Sequence, residues 1–287
     1  MTGSLQAYPA ESFALGLYEG VSNEAYHDGP GVSKSTLDLV HQSPSLVEWN
    51  AKSPRDEEAD AAVDVGNAFE ALLLEPERFA QQYIGGPANA PRNTKDGKAK
   101  WAEVEAEAER LGATIVGPDD WRKIHLMRDS VMAHPVARRA LNAEIIVQPS
   151  YYWIDETTGL LCRCRPDLML RRVPFVLDVK TSGQIERFGT SVEDYRYHVQ
   201  DAFYTDGLQP YYGEPPSFAF IVVSTSRSAG RYPVHVYELD AHDKWAGRRA
   251  YRDDIVNLAA CVRDNEWTHV EPLSRPWWAR KRDDEGA

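Results

Sequence analysis

Arg165-Pro166-Asp167, and a short way on the run Val176-Leu177-Asp178-Val179-Lys180-Thr181, decide how this chain reads. The second run has the apolar, β-branched make-up of a buried strand, yet it carries an aspartate and a lysine. Charges inside such a strand cost on the order of several kcal/mol to desolvate unless something pairs with them. Phe175, Val176, Leu177 and Val179 on either side argue for burial, against a surface strand whose Asp178 and Lys180 form a solvated pair.

Asp167 follows a proline and Asp178 lies mid-strand, so two strands approaching as a hairpin bring the carboxylates together. Two such groups repel each other without a cation. Their hard oxygens suit Mg²⁺, with Mn²⁺ as a substitute, and the Val179 carbonyl is a plausible main-chain ligand. Lys180, two residues past Asp178, shares its face of the strand and is placed to orient an attacking water and offset charge on a phosphate. The pattern is that of a metal-dependent phosphodiester hydrolase.

Working outward, the spacing predicts a helix over 58–74 with Val63, Gly66, Glu70 and Leu73 or Leu74 on one face. Glu70 is thus a candidate third carboxylate, one turn after Gly66; spacing alone leaves it equally a half-exposed helix glutamate. A helix over 192–208 places Gln200 and Tyr204 one turn apart on one face, able to hold a DNA backbone or to pack into the core. Arg165, Thr181 and Arg196 are further candidates for nucleic-acid contact. Around these, Ser33 or Ser35 caps a helix through Leu37, Leu39, Val40, Leu46, Val47 and Trp49, and a charged loop covers 53–56. Residues 85–97, rich in Gly, Pro, Asn and Lys, read as a mobile loop near bound ligand. Helices over 98–111 and 119–134 lead to a hairpin of strands 144–153 and 160–170, turned at 155–159. Strands over 175–180, 217–224 and 232–239 and a long helix over 241–265 complete the pattern. The expected organisation is an N-terminal arm (1–20), one domain (21–279; helical to about 143, catalytic sheet beyond) and a disordered tail (280–287). The fold class is α/β (α+β), a central mixed sheet flanked by helices.

With 287 residues and 43% hydrophobic content, the chain can bury a full core. Its net charge of -12 argues against coating nucleic acid with the whole surface, though not against a local basic channel. Cations gather at Arg163, Arg165, Arg171 and Arg172, near Lys180, Arg187 and Arg196, and at Arg248, Arg249 and Arg252; each cluster also reads as a solvated face, the better reading for the last. Cys162, Cys164 and Cys261 lack the spacing of a zinc or iron–sulfur site and read as reduced thiols. No apolar run is long enough to span a bilayer and the first residues lack signal-peptide character, so the expected compartment is cytoplasmic.

Together Gly66-x-x-x-Glu70, Arg165-Pro166-Asp167, Asp178-Val179-Lys180 and Gln200-x-x-x-Tyr204 stand in the order of the PD-(D/E)XK nuclease superfamily. Residues 22–40 (SNEAYHDGPGVSKSTLDLV), 72–79 (LLLEPERF), 159–167 (GLLCRCRPD), 177–182 (LDVKTS), 195–208 (YRYHVQDAFYTDGL), 230–240 (GRYPVHVYELD) and 266–279 (EWTHVEPLSRPWWA) resemble the nuclease domain of exodeoxyribonuclease VIII-type recombination exonucleases of prophages. That resemblance implies a restriction-endonuclease-like core and an Mg²⁺-dependent exonuclease digesting one strand of linear duplex DNA from its 5′ end. It further implies a 3′ tail passed to a single-strand annealing protein, and a toroidal homotetramer. Glu70, Asp167 and Asp178 would bind metal, Lys180 would assist the water, and Gln200 and Tyr204 would form the family's QxxxY element. This chain has Glu70 where that family commonly has histidine; other exonucleases of the superfamily use glutamate there. Two other readings share these residues: an endonuclease of restriction or repair type, and a catalytically silent protein that binds DNA ends.

Overall fold

The computed structural model describes residues 15–52, 65–268 and 273–285. In chain order, β1 (Gly16–Tyr18), α1 (Asn23–His27), α2 (Lys34–Gln42) and α3 (Pro44–Lys52) come first. They are followed by α4 (Val65–Leu74), α5 (Pro76–Gln82), β2 (Tyr83–Gly85), α6 (Lys95–Leu111), β3 (Thr114–Val116), α7 (Pro118–Ala133) and α8 (Pro135–Leu141). The second part comprises β4 (Ile145–Val147), β5 (Ser150–Ile154), β6 (Leu161–Cys164), β7 (Leu168–Leu170), β8 (Phe175–Ser182), α9 (Phe188–Asp194), α10 (Tyr197–Tyr212), β9 (Ser217–Ser224), β10 (Val234–Tyr237), α11 (Ala241–Asp264) and α12 (Trp277–Glu285).

A five-stranded mixed sheet of order β10-β9-β8-β7-β4 is the centre of the fold, with β8 and β9 parallel and the other neighbours antiparallel. Strand pleating sends alternate residues to opposite faces. Val176, Phe218, Phe220 and Val222 pack with Val199 and Phe203 of α10 and Tyr251, Ile255 and Leu258 of α11. Leu177, Val179, Ala219, Ile221 and Val223 pack with Phe69 and Leu72 of α4 and Ile124, Met127 and Val131 of α7. A sheet covered on both sides explains why β8 and β9 read as nearly continuous apolar runs.

The single hairpin expected over 144–170 is instead a fork. Its distal half pairs β5 with β6 in a three-stranded sheet completed by β1, while its proximal half pairs β4 with β7 in the central sheet. Both arms break at prolines, Pro149 and Pro166, which have no N–H to continue a ladder. Gln148 turns the first arm with φ +44°. Asp155 holds the expected turn, its carboxylate accepting from the Thr158 N–H and hydroxyl.

Other boundaries move for similar reasons. The helix expected from Leu37 to Trp49 is two, α2 and α3, parted at Ser43-Pro44; Ser33 closes the capping box of α2 as expected. The helix expected over 192–208 divides at Arg196, whose φ is +53°. Residues 58–64 of the helix ending at Leu74, and the 53–56 loop, lie outside the described residues. The Gly-rich stretch after β2 is pinned: Trp101 Nε1 donates to the Ala90 carbonyl at 2.9 Å, and the Arg92 guanidinium lies 3.6 Å above the Trp101 ring. Where charge alone predicts disorder from Arg280, residues 277–285 are helical, tied by an Arg275–Asp283 ion pair and an Arg280–Ser274 bond. All three cysteines are free and buried. Among the described residues no helix is long and apolar enough to cross a membrane.

Candidate active site

The fork in the sheet makes the site. Where β7 begins, Leu168 still pairs with Leu177 of β8, but Asp167 one residue earlier has left the ladder. Its Oδ2 instead accepts the Val179 N–H at 2.6 Å. Asp178 and Lys180, alternating with the apolar Leu177 and Val179, point to the α10 face. There Gln200 Nε2 donates to Asp178 Oδ1 at 2.6 Å, and Lys180 Nζ lies 2.5 Å from Asp178 Oδ2. Asp178 is 2% exposed, and these two contacts are what its carboxylate oxygens meet inside the fold. The Lys180 ammonium is the sole partner that Asp178 Oδ2 has among the described residues.

Glu70 reaches this place from α4, on the other side of the sheet, past the end of β7. Its Oε1 accepts from Gln148 Nε2 at 2.6 Å, and the Gln148 N–H in turn donates to the Asp167 carbonyl at 2.9 Å. Gln148 therefore ties two acidic residues at the fork. Sequence reading missed it because it falls inside an alternating run; the proline after it was the available signal.

The electrostatics are those of a site short of positive charge. Burial, then the Asp178 and Glu70 carboxylates, push the Asp167 carboxyl well above its ordinary range, against Lys180 and the Val179 N–H. Burial likewise raises Glu70, opposed by the Gln148 hydrogen bond and reinforced by Asp178. For Lys180, burial disfavours the ammonium, but Asp178 and Asp167 outweigh it and hold the group above the usual lysine value. Three carboxylates thus face one ammonium. A hard divalent cation fits that deficit, and Asp167, Asp178 and Glu70 would hold it. The three acids are not drawn as tight as a filled site. Among the described residues, the one trio of acidic or histidine ligand atoms all within 4.8 Å of one another is Asp240, His242 and Asp243, exposed at the start of α11, where Asp240 caps the helix.

The remaining candidates divide. Tyr204 is buried beneath the site, its phenol raised by burial, against Phe203 and Phe218. Thr181 is exposed, on the face of β8 opposite Lys180. Arg165 does not reach outward: it donates to Ser150 Oγ, Asn23 Oδ1 and the Val21 carbonyl and stacks 4.2 Å over Tyr26. Arg196 is equally engaged, with Asp38 at 3.1 Å and Asp254 at 2.5 Å. In this structure both arginines are taken up by contacts within the fold: Arg165 ties the 21–26 segment to Ser150, and Arg196 joins Asp38, also paired with Lys34, to Asp254. Two groups beside the site escaped the sequence reading. Tyr197 lies with its ring centroid 4.9 Å from Lys180 Nζ, and Lys34 donates to the Tyr195 carbonyl at 2.6 Å.

A mixed sheet that delivers Asp167, Asp178 and Lys180 to one point, with an acidic helix residue beside them, defines a protein of PD-(D/E)XK type. Residues 33–270 match the family described as a PDDEXK-like domain of unknown function (DUF3799), and the chain belongs to that family. Nucleases of this type generally use divalent metals, in keeping with the charge deficit. Among solved structures, one from Eubacterium rectale described as "Putative exonuclease" superposes with TM-score 0.53 at 10% identity, over 90% of this chain and 97% of that one. Another, SSO0001, has TM-score 0.28 at 14% identity, over 77% of this chain and 86% of that one. No curated protein matches the chain.

Proposed function

We propose that this chain is an Mg²⁺-dependent exonuclease that hydrolyses one strand of linear duplex DNA. The observation that carries the reading is the meeting of Asp167, Asp178 and Lys180 at the fork, with Glu70 held beside them through Gln148. A bound cation would supply Lewis acidity to the phosphoryl oxygens there. Asp178, clamped by Gln200, and Asp167, clamped by the Val179 N–H, present oxygens that cannot swing away. Lys180, kept protonated by its acidic neighbours, places a fixed positive charge where the phosphate becomes more negative and orients the attacking water beside it. Buried Tyr204 and Gln200 serve as the floor that sets this geometry.

Action from ends, with 5′ to 3′ polarity and a 3′ tail left for a single-strand annealing protein, is supported by the resemblance of the quoted segments to prophage recombination exonucleases. A ring-shaped homotetramer and a cytoplasmic setting belong to the same reading. Buried, unpaired thiols at Cys162, Cys164 and Cys261 agree with a reducing compartment. The test is a linear duplex labelled at either the 5′ or the 3′ end, incubated with Mg²⁺ or with EDTA, using wild type and Lys180→Ala. Digestion that starts at the 5′ terminus, stops with chelator and falls by about 100-fold or more in the variant is the expected result. Unchanged turnover in Lys180→Ala would remove the mechanism.

A further inference from the structure

Lys180 looks out over a column of rings. Its Nζ sits 4.9 Å from the centroid of Tyr197, and on Tyr197 stacks Tyr195, with centroids 5.6 Å apart and planes at 25°. Behind Tyr197 come Phe188 (5.8 Å, 26°), then Tyr237 (5.5 Å, 9°), then His235 (5.3 Å, 12°). Phe188 is buried and Tyr197 and Tyr237 are half-buried, while the end rings His235 and Tyr195 are exposed; Tyr195, the end nearer Lys180, is 61% exposed, and among the described residues no ring other than Tyr197 stacks on it. At the end nearer the acidic site, one ring beyond the Tyr197 that Lys180 touches, the column thus offers solvent the outer face of Tyr195.

This arrangement is enforced. Arg196, between the two tyrosines, sits at φ +53°, a conformation that a residue with a side chain keeps only when its surroundings over-determine it. Asp38 and Asp254 grip its guanidinium, and Lys34 Nζ binds the Tyr195 carbonyl at 2.6 Å. A chain kept in that shape to hold a large aromatic ring in water gains nothing from the ring's burial, which points to a ligand with a flat face.

We propose that Tyr195, backed by Tyr197, is a stacking platform for an unpaired nucleobase of the strand being cut. The inference rests on the nuclease reading above and extends it to a substrate contact. An enzyme that removes nucleotides from a duplex end works beside frayed bases, each exposing π-faces that cost free energy in water. An aromatic plate adjoining the phosphate site takes up such a base whatever its identity, as non-specific single-strand binding requires. Platform and Lys180 would then hold the base and the phosphate of one stretch of strand.

The experiment compares wild type, Tyr195→Ala and Tyr195→Trp on linear duplexes with an ordinary 5′ end or with abasic residues at the first two positions of the cut strand. On the ordinary end, Tyr195→Ala should raise KM about ten-fold with kcat within about two-fold, and Tyr195→Trp should restore it. On the abasic end, wild type and Tyr195→Ala should coincide. With Ca²⁺ in place of Mg²⁺, a terminal 2-aminopurine should be quenched by wild type and not by Tyr195→Ala. An equal penalty on both kinds of end would overturn the platform and assign the ring to folding or to a protein contact. So would a Tyr195→Ala enzyme indistinguishable from an active wild type. A wild type that cleaves no DNA at all overturns the nuclease reading together with the platform.

Discussion

At the scale of single residues, Asp178 and Asp201 make opposite use of burial. Asp178 is 2% exposed yet has Gln200 and Lys180 as partners. Asp201, the next residue along α10, is 1% exposed with its Oδ2 unbonded, and desolvation raises its carboxyl to about 7. A carboxyl raised in the folded state keeps its proton while the unfolded chain, near pH 4, has lost its own. Stability linked to Asp201 is therefore intact below about pH 4, declines as pH rises toward 7, and then levels. Asp201→Asn should gain on wild type across that window by on the order of 2–4 kcal/mol. Urea unfolding of both proteins at pH 4.5 and 8 checks this: a difference that does not grow with pH would show that Asp201 is already ionised in the fold. Glu70 and Asp167 illustrate a limit of reading residues one at a time, because each is raised by the other acids as well as by burial.

Among the elements, α10 supplies Gln200, the clamp on Asp178, and the underlying Tyr204, and what positions α10 is its close approach to α11. A Cβ built on Gly247 would fall 2.0 Å from the His198 carbonyl oxygen, and one on Gly207 would fall 2.4 Å from the Trp153 ring. Glycine at 247 is thus what lets the first turn of α10, two residues before Gln200, lie against α11. Backbone cannot yield as a flexible side chain can, so Gly247→Ala should destabilise by about 1–3 kcal/mol and displace Gln200 from Asp178. The urea midpoint should fall, and nuclease activity under folded conditions should fall with it; retained stability would mean the helices part without cost. The forked hairpin teaches a related lesson. Alternation alone spoke for two long strands over 144–153 and 160–170, because alternation carries no information about which sheet a strand joins. Pro149 and Pro166 mark the breaks, but only pairing with β1 on one side and β8 on the other gives them meaning.

Considering the whole molecule, a net charge of -12 would, for the DNA exonuclease proposed above, favour association at restricted places, since phosphate and surface repel one another elsewhere. An enzyme that requires an end should degrade linear plasmid and spare the covalently closed form of the same sequence. Cutting of both at equal rates would favour the endonuclease reading. Sedimentation should give a particle of four 32.3 kDa chains if the ring inferred from resemblance is correct. What the amino-acid sequence determined unaided was where charge stands out: Asp178 and Lys180 are costly in an otherwise apolar strand, and Asp167 follows the proline at the break before it. Glu70 and Gln200 were legible as one-turn spacings without a stated destination. Tertiary structure alone decided that Glu70 crosses the end of β7 to meet them through Gln148, that Arg165 and Arg196 are engaged by Ser150, Asp38 and Asp254 within the fold, and that Tyr195 faces solvent. Each of these depends on where separate elements meet in space, and spacing along a chain records only what lies on the same element.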